Sequence, residues 1–301
     1  MIQTIRKAWG IPELRKKIIF TILILLILRI GNAIPVPYVD TALLQNYLDS
    51  MSTTVLGLYN VMSGGAFASA TVFALGVQPY INSSIIIQLL TIAIPALEEL
   101  QRNGEEGRKM LISITRYVTV GLSLIESLAM AIGFNSQGIL ENRNNALTII
   151  MVVLGLTAGS ALLMWIGEQI TEYGVGNGIS IVLTINIISR LPGDFNSLYE
   201  MFIRDNYRNG RILVAIIAAI IIIAVCVATV VLVILLNSAE RKIPVQYAKK
   251  VLGRKVVGGN STHIPLKVNT AGVIPIIFAS SLMQFPIVIA QLLGRDGGTT
   301  I

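Results

Sequence analysis

The chain has 301 residues, 54% of them hydrophobic and only 13% charged, about half the charge content of an ordinary soluble domain. With a mean hydropathy of +0.74, that composition excludes a soluble globular protein and points to an all-α polytopic membrane protein whose helices cross an apolar core ~30 Å thick. One cysteine and one histidine exclude an internal disulfide, a zinc site and a His-based triad, so no metal and no cofactor is expected. The net charge of +7 fits basic cytoplasmic loops better than nucleic-acid binding.

Residues 1–17 hold Arg6, Lys7, Arg15, Lys16 and Lys17 and read as a cytoplasmic N-terminus. Runs of about 20 apolar residues place spans at 18–36, 71–95, 110–133, 147–167, 178–191, 212–236 and 272–294. The first run is too long for a signal peptide and continues into Pro35-Val36-Pro37 without a small-residue cleavage site, so it is expected to stay in the membrane. Arg29 near its end is expected to snorkel to the outer interface. The stretch LYNVMSGGAFASA at 58–70 is too short to span and too apolar for an ordinary loop, and reads as a re-entrant half-helix. The second run carries Gly76, Pro79, Asn82, Ser83, Ser84 and Gln88 at membrane depth. Polar groups there must meet protein or water, so this helix is expected to face a cavity or another helix.

Glu126 in the third run is the one acid well inside the predicted hydrocarbon, and an intramembrane ionisable group is a functional-site hypothesis. Helix–helix hydrogen bonding, gate chemistry and ion coupling are all open readings, with Gln88 and Asn269 as candidate partners. The fifth run is apolar over 179–189, about half the reach of a full span, and should border a water-filled funnel. The sixth, 212–236, is uniformly aliphatic and reads as a lipid-facing anchor that holds Cys226 as a small filler. The loop 237–269 has seven basic residues and one acid, Glu240, and reads as a docking surface for ribosomal RNA or an acidic protein face, with anionic lipid as the simpler partner. Pro275 and Pro286 suit a kinked seventh helix. With a cytoplasmic N-terminus, 15 basic residues fall inside, 6 outside and 2 within spans, which is the asymmetry of the positive-inside rule.

The glycine-rich Gly174-Val175-Gly176-Asn177-Gly178 follows a membrane helix instead of a strand and lacks dinucleotide-site spacing, so it reads as a tight turn. Asn82-Ser83-Ser84 and Asn260-Ser261-Thr262 fit the glycosylation pattern, but one lies in the membrane and the other in a cytoplasmic loop.

Three segments, FALGVQPYINSSIIIQLL at 73–90, MWIGEQITEYGVGNGISI at 164–181 and STHIPLKVNTAGVIPIIFASS at 261–281, closely resemble the SecY family of bacterial protein-conducting channel subunits. Members of that family carry ten spans as two inverted halves of five. The resemblance therefore implies a SecY-type inverted-repeat helical bundle truncated after the seventh span, with a first half at 18–191 and a partial second half at 192–301. It implies a passive conduit for unfolded secretory and membrane proteins, not an enzyme. Its implied partners are SecE, SecG, the SecA motor, the ribosome and signal-sequence-bearing polypeptides, in the bacterial cytoplasmic membrane.

By position in the matching segments, the implied pore ring is Ile81, Ile85, Leu183, Ile187 and Ile277, with Leu183 where isoleucine is more usual. The aliphatic character agrees with a pore that must pass any sequence and otherwise excludes ions by dewetting. The implied plug is Asn60, Val61, Met62, Ser63, Gly64, Gly65 and Ala66, within the re-entrant stretch. The lateral gate places Gln88, Glu126 and Asn269 at or near its seam. Arg241, Lys242, Lys250, Arg254 and Lys255 resemble the ribosome and SecA docking positions. A substrate-specific secondary transporter with broken helices, coupled through Glu126, is the alternative. An enzyme is the poorest reading, because no nucleophile–base pair, metal cluster or phosphate cradle survives inspection.

Overall fold

The computed structural model describes residues 9–50, 55–141, 145–204, 212–245, 250–252, 255–257, 262–270 and scattered positions from 272 to 289. Its described residues are mostly helical. They fall into two compact units, Met1–Pro192 with Phe278–Ile301, and Gly193–Ile277.

In the first unit, α1 is Pro12–Gly31. Proline near the start costs nothing, because a helix's first N–H groups have no partner anyway, so the helix begins before the apolar run and takes in the basic turn. It stops at Asn32, whose N–H reaches the carbonyls of Ile30 and Leu28, five residues short of the predicted end, because Pro35 and Pro37 cannot continue a helix. The chain then pairs loosely with the segment ahead of the second span, through Val36 N to Ala70 O at 2.8 Å and Val72 N to Ile34 O at 3.0 Å. Helix α2, Thr41–Ser50, starts on Asp40, whose Oδ1 accepts from Ala42 N and Leu43 N; this is an N-cap. Helix α3 is Val55–Met62. The predicted re-entrant half-helix over 58–70 is thus a helix only as far as Met62, followed by turns through Val77.

The second span likewise starts later than 71, with α4 at Gln78–Ala93. Pro95 then forces Ile94 into extended backbone (ψ 114°), and α5, Pro95–Arg102, leaves at 102° to α4. Helix α6 is Gly104–Ser136 and α7 is Ala146–Tyr173; both are long and apolar enough to cross a membrane. Helix α8 is Gly178–Leu198, which corrects the half-length fifth span. The helix passes Pro192 and continues through polar, exposed residues that an apolar-run reading stops short of.

The core of this unit lies where Val36, Leu44, Tyr59, Phe67, Leu75, Phe134 and Leu156 meet. A second cluster joins Leu28 of α1, Phe73, Val77, Leu163 and Ile170 of α7 and Val182 of α8.

In the second unit, a π-helical turn at Tyr199–Arg204 packs on α9, Ile212–Ser238. The spanning stretch of α9 has no buried residues in its most apolar window, in line with a lipid-facing anchor. Beyond it the basic loop is not irregular. Strand β1 (Glu240–Val245) pairs antiparallel with β4 (Thr262–Lys267), and β2 (Lys250–Leu252) with β3 (Lys255–Val257). Most of the seventh predicted span, 272–294, lies outside the described residues.

Candidate functional site

The stretch from Asn60 to Ala70 is tied down by its own polar atoms. Ser63 Oγ donates to Asn60 O at 3.1 Å and accepts from Phe67 N at 3.2 Å, and Asn60 Oδ1 accepts from Ala68 N at 3.1 Å. Tyr59, just before it, stacks edge-on against Phe67 with ring centres 5.2 Å apart and donates to Leu75 O at 2.7 Å. Of the candidate plug, Ser63 and Ala66 are buried, Asn60, Met62, Gly64 and Gly65 half-buried, and Val61 exposed. Gly64 (φ +72°) is required twice over. Its backbone is left-handed, and a Cβ there would sit 2.7 Å from Asn186 O in α8.

Of the aliphatic candidates, Leu183 stands beside this segment. Ile81 and Ile85 lie four residues apart on α4, and Leu183 and Ile187 four apart on α8, so each pair shares a helix face. Ile81 and Leu183 pack on one apolar cluster. Leu183 also lines a small cavity with Tyr59, Met62, Ser63, Leu75, Gly76, Val77 and Gln78. Ile85 is half-buried and Ile187 exposed. Ile277 lies outside the described residues.

Glu126 does not meet Gln88. Its partner is Asn82, whose Nδ2 donates to Glu126 Oε1 at 3.1 Å, and Gln88, six residues and nearly two turns further on, points to the surface. Asn269 belongs to the other unit, where its Nδ2 donates to Asn237 Oδ1 at 3.3 Å and its Oδ1 accepts from Gly272 N. The Asn82–Glu126 bond is one of a row between α4 and α6. Ser83 Oγ donates to Thr115 O at 3.2 Å, and Thr119 Oγ1 donates to Ser83 Oγ at 3.0 Å. Where α6 meets α7, Ser127 and Thr157 share a 2.9 Å hydrogen bond, and Arg116 Nε donates to Glu168 Oε1 at 2.7 Å. The row was within reach of the sequence. Thr115, Thr119, Ser123, Glu126 and Ser127 recur at helical spacing and are all buried, so they form a single polar stripe.

Arg29 does not snorkel outward. Its Nη2 donates to Ile185 O in α8 at 2.6 Å, and Asn32 Nδ2 reaches Asn186 Oδ1 at 3.5 Å. Neither Asn32 nor Asn186 stood out in the sequence, because an asparagine at a helix end or inside a helix gives no hint of which helix it will face. The glycine-rich segment is a tight turn: Gly176 has φ +74°, Thr171 Oγ1 accepts from Gly178 N at 2.9 Å, and Asn177 Oδ1 accepts from Ser180 N at 3.2 Å.

In the basic loop, the register puts Arg241, Ile243 and Val245 on one face of the ribbon opposite Leu266, Ile264 and Thr262. Glu240, Lys242 and Pro244 stand on the other face opposite Lys267, Pro265 and His263. Pro244 and Pro265 are tolerated because each strand of a two-stranded ribbon has a free edge. The period-2 alternation around Ile243 and Ile264 was the sequence signal for these strands. Lys250 and Lys255 fall in β2 and β3, and Arg254 lies outside the described residues. Among the described residues no cluster of His, Cys, Asp and Glu has the arrangement to hold a metal.

Comparison with known proteins locates this arrangement. Residues 71–300 match the SecY family model. A protein translocase subunit SecY of Halalkalibacterium halodurans is 43% identical over 299 residues, covering 98% of this chain and 68% of the relative. A solved SecY channel, described as one whose plug domain stabilises the closed state of the translocation channel and maintains a membrane seal, superposes with a TM-score of 0.59 at 18% identity. The alignment covers 92% of this chain and 59% of that one. Canine Sec61, from a ribosome–channel complex of the endoplasmic reticulum, superposes with a TM-score of 0.58 at 16% identity, covering 92% of this chain and 60% of its own. The chain thus spans about three fifths of the length of these solved channels.

Proposed function

The chain belongs to the SecY family, and from that premise we propose that it is the central channel subunit of a Sec translocon. In this role it conducts unfolded secretory proteins across the bacterial cytoplasmic membrane and releases membrane proteins sideways into the lipid. The observation that carries the reading is the seating of the small-residue segment around Gly64 against Asn186 of α8, with Leu183 of the same helix beside it. Such a segment closes a path without offering specific bonds to cargo, and its glycines let it move aside at low steric cost. Ile81, Ile85, Leu183, Ile187 and Ile277 form the constriction, and 60–66 is the plug beneath it. The solved SecY relative whose plug maintains a membrane seal supports that assignment.

The N-terminus faces the cytoplasm, in keeping with the distribution of Lys and Arg. The basic ribbon then stands on the cytoplasmic side, and Arg241, Lys242, Lys250, Arg254 and Lys255 dock the ribosome or the SecA motor; a solved relative from a ribosome–channel complex supports the former. SecE and SecG are the expected companions in the membrane. Glu126 stands at or near the seam of a lateral gate, and its bond to Asn82 ties α4 to α6 on one side of that seam. Gln88 and Asn269 complete the proposed gate region.

A photo-crosslinker at Ile85, with a ribosome-stalled secretory precursor in native membranes, is expected to give an adduct with the nascent chain. An inserted protein silent at Ile85, and equally silent at Leu183, would sink the conduit. Deleting 60–68 is expected to leave translocation in place and make the resting channel leak ions.

A further inference from the structure

We propose that Arg29 of α1 and Asn32, its C-cap, act as a latch that fixes the Ile185–Asn186 turn of α8 and thereby holds the plug in its seat. Three contacts converge on that turn. Arg29 Nη2 donates to Ile185 O at 2.6 Å, Asn32 Nδ2 to Asn186 Oδ1 at 3.5 Å, and the backbone of Gly64 lies against the backbone of Asn186. The Gly64 contact involves backbone on both sides, so the plug cannot keep its seat if α8 shifts there. Nothing between the two can flex to compensate.

The donors come from the C-terminal end of α1, which packs chiefly on α7 and shares the apolar cluster that holds Val182 and Leu183. Among the described residues Arg29 makes no ion pair with a carboxylate, so its charge is spent on a backbone carbonyl. Bonds from a charged donor are the stronger class, and in a low-dielectric setting a cation held this way fixes the carbonyl's position. Asn186 is buried, and its neighbour Ile187 carries the constriction face. A single turn of α8 therefore touches α1 through side chains, the plug through its backbone, and the pore through the next residue. A chain that pushes the α8 face aside strains the Arg29 bond and unseats Gly64 in the same movement.

The inference rests on the channel reading given above. It is tested in the full-length protein within its native membrane complex, with Cys226→Ala removing the native thiol and Ser63→Cys reporting the plug. Ser63 lies next to Gly64 and is buried, so its rate of modification by a membrane-impermeant maleimide measures unseating. Arg29→Gln and Asn32→Ala are expected to raise that rate about tenfold, the factor that corresponds to loss of one charge-assisted or buried bond. Arg29→Lys keeps a charged donor and is expected to restore most of the slow rate; a purely space-filling role for Arg29 would not separate Lys from Gln. Gly64→Ala, which disturbs the seat directly, sets the upper rate.

Fast labelling in Gly64→Ala with an unchanged rate in both Arg29→Gln and Asn32→Ala overturns the latch. Equal acceleration by Lys and Gln overturns the role of the charged donor. A precursor crosslink at Ile85, measured on the same membranes, keeps the two ideas apart: its absence refutes the conduit, while its presence with unmoved labelling refutes only the latch.

Discussion

The α7–α8 crossing and the α4–α6 crossing are closed by opposite means. Where α7 meets α8, glycine faces glycine. A Cβ on Gly178 would overlap the Gly167 carbonyl, and one on Gly167 would overlap Ile179. Backbone fit of that kind leaves no room for a side chain where the turn brings the two helices together, and separation there forfeits the dispersion contacts between them. Between α4 and α6 the contact is instead carried by Asn82–Glu126, Ser83–Thr115 and Ser83–Thr119. Hydrogen bonds in a bilayer are worth about 0.6 kcal/mol on average and can be exchanged for bonds to an incoming polypeptide or to water. The first unit thus holds one contact made by backbone fit and one made by exchangeable polar bonds.

Several substitutions would break or sharpen this contrast. Gly178→Val is expected to cost about 3 kcal/mol through overpacking, read as loss of detergent-stable folded protein; a well-folded variant would mean that close approach is not what shuts the α7–α8 seam. Asn82→Leu removes the donor to a buried carboxylate and is expected to cost about 2 kcal/mol, measured by thermal unfolding of the purified complex. Adding Glu126→Leu should recover most of that loss, since two apolar groups leave nothing unsatisfied, while making lateral release of a signal-bearing precursor slower. If the double variant releases precursor as fast as the parent, the polar row is not part of the gate. Thr119→Val, which forfeits one interhelical bond, is expected to cost only about 0.6 kcal/mol. Reversing Lys242 and Lys267 to Glu on the ribbon should leave stability within about 0.5 kcal/mol and weaken ribosome binding in a salt-dependent way. Binding that ignores both the charge reversal and the salt would remove the ribbon from the docking surface.

The long helices were legible because a bilayer demands about 20 apolar residues whatever they pack against, and α6, α7 and α9 follow that rule closely. The starts and stops were legible only where proline or a cap decided them. The helix at α4 begins at Gln78, not at 71, because 71–77 has the same apolar composition as a span yet is folded as a run of turns. Composition does not distinguish the two uses. In α8, polar residues after Ser189 suggested an early end, but the helix runs on to Leu198 past Pro192, whose cost is local. At the candidate site the sequence supplied Glu126 but neither the stripe to which it belongs nor its partner, because Asn82 and Gln88 both lie on α4 and only the crossing with α6 chooses between them.

The sequence by itself determined that this chain lives in a membrane, which three long helices, α6, α7 and α9, are apolar enough to cross it, where its basic loop lies, and to which family it belongs. These follow from composition, period and motif, which are properties of the chain taken one segment at a time. The tertiary structure alone decided that Arg29 turns inward to Ile185 instead of out to the interface, that Glu126 meets Asn82, and that Gly64 rests on Asn186. Each of those choices depends on which backbone stands opposite, and a polar atom in an apolar medium takes whatever partner the packing brings within reach.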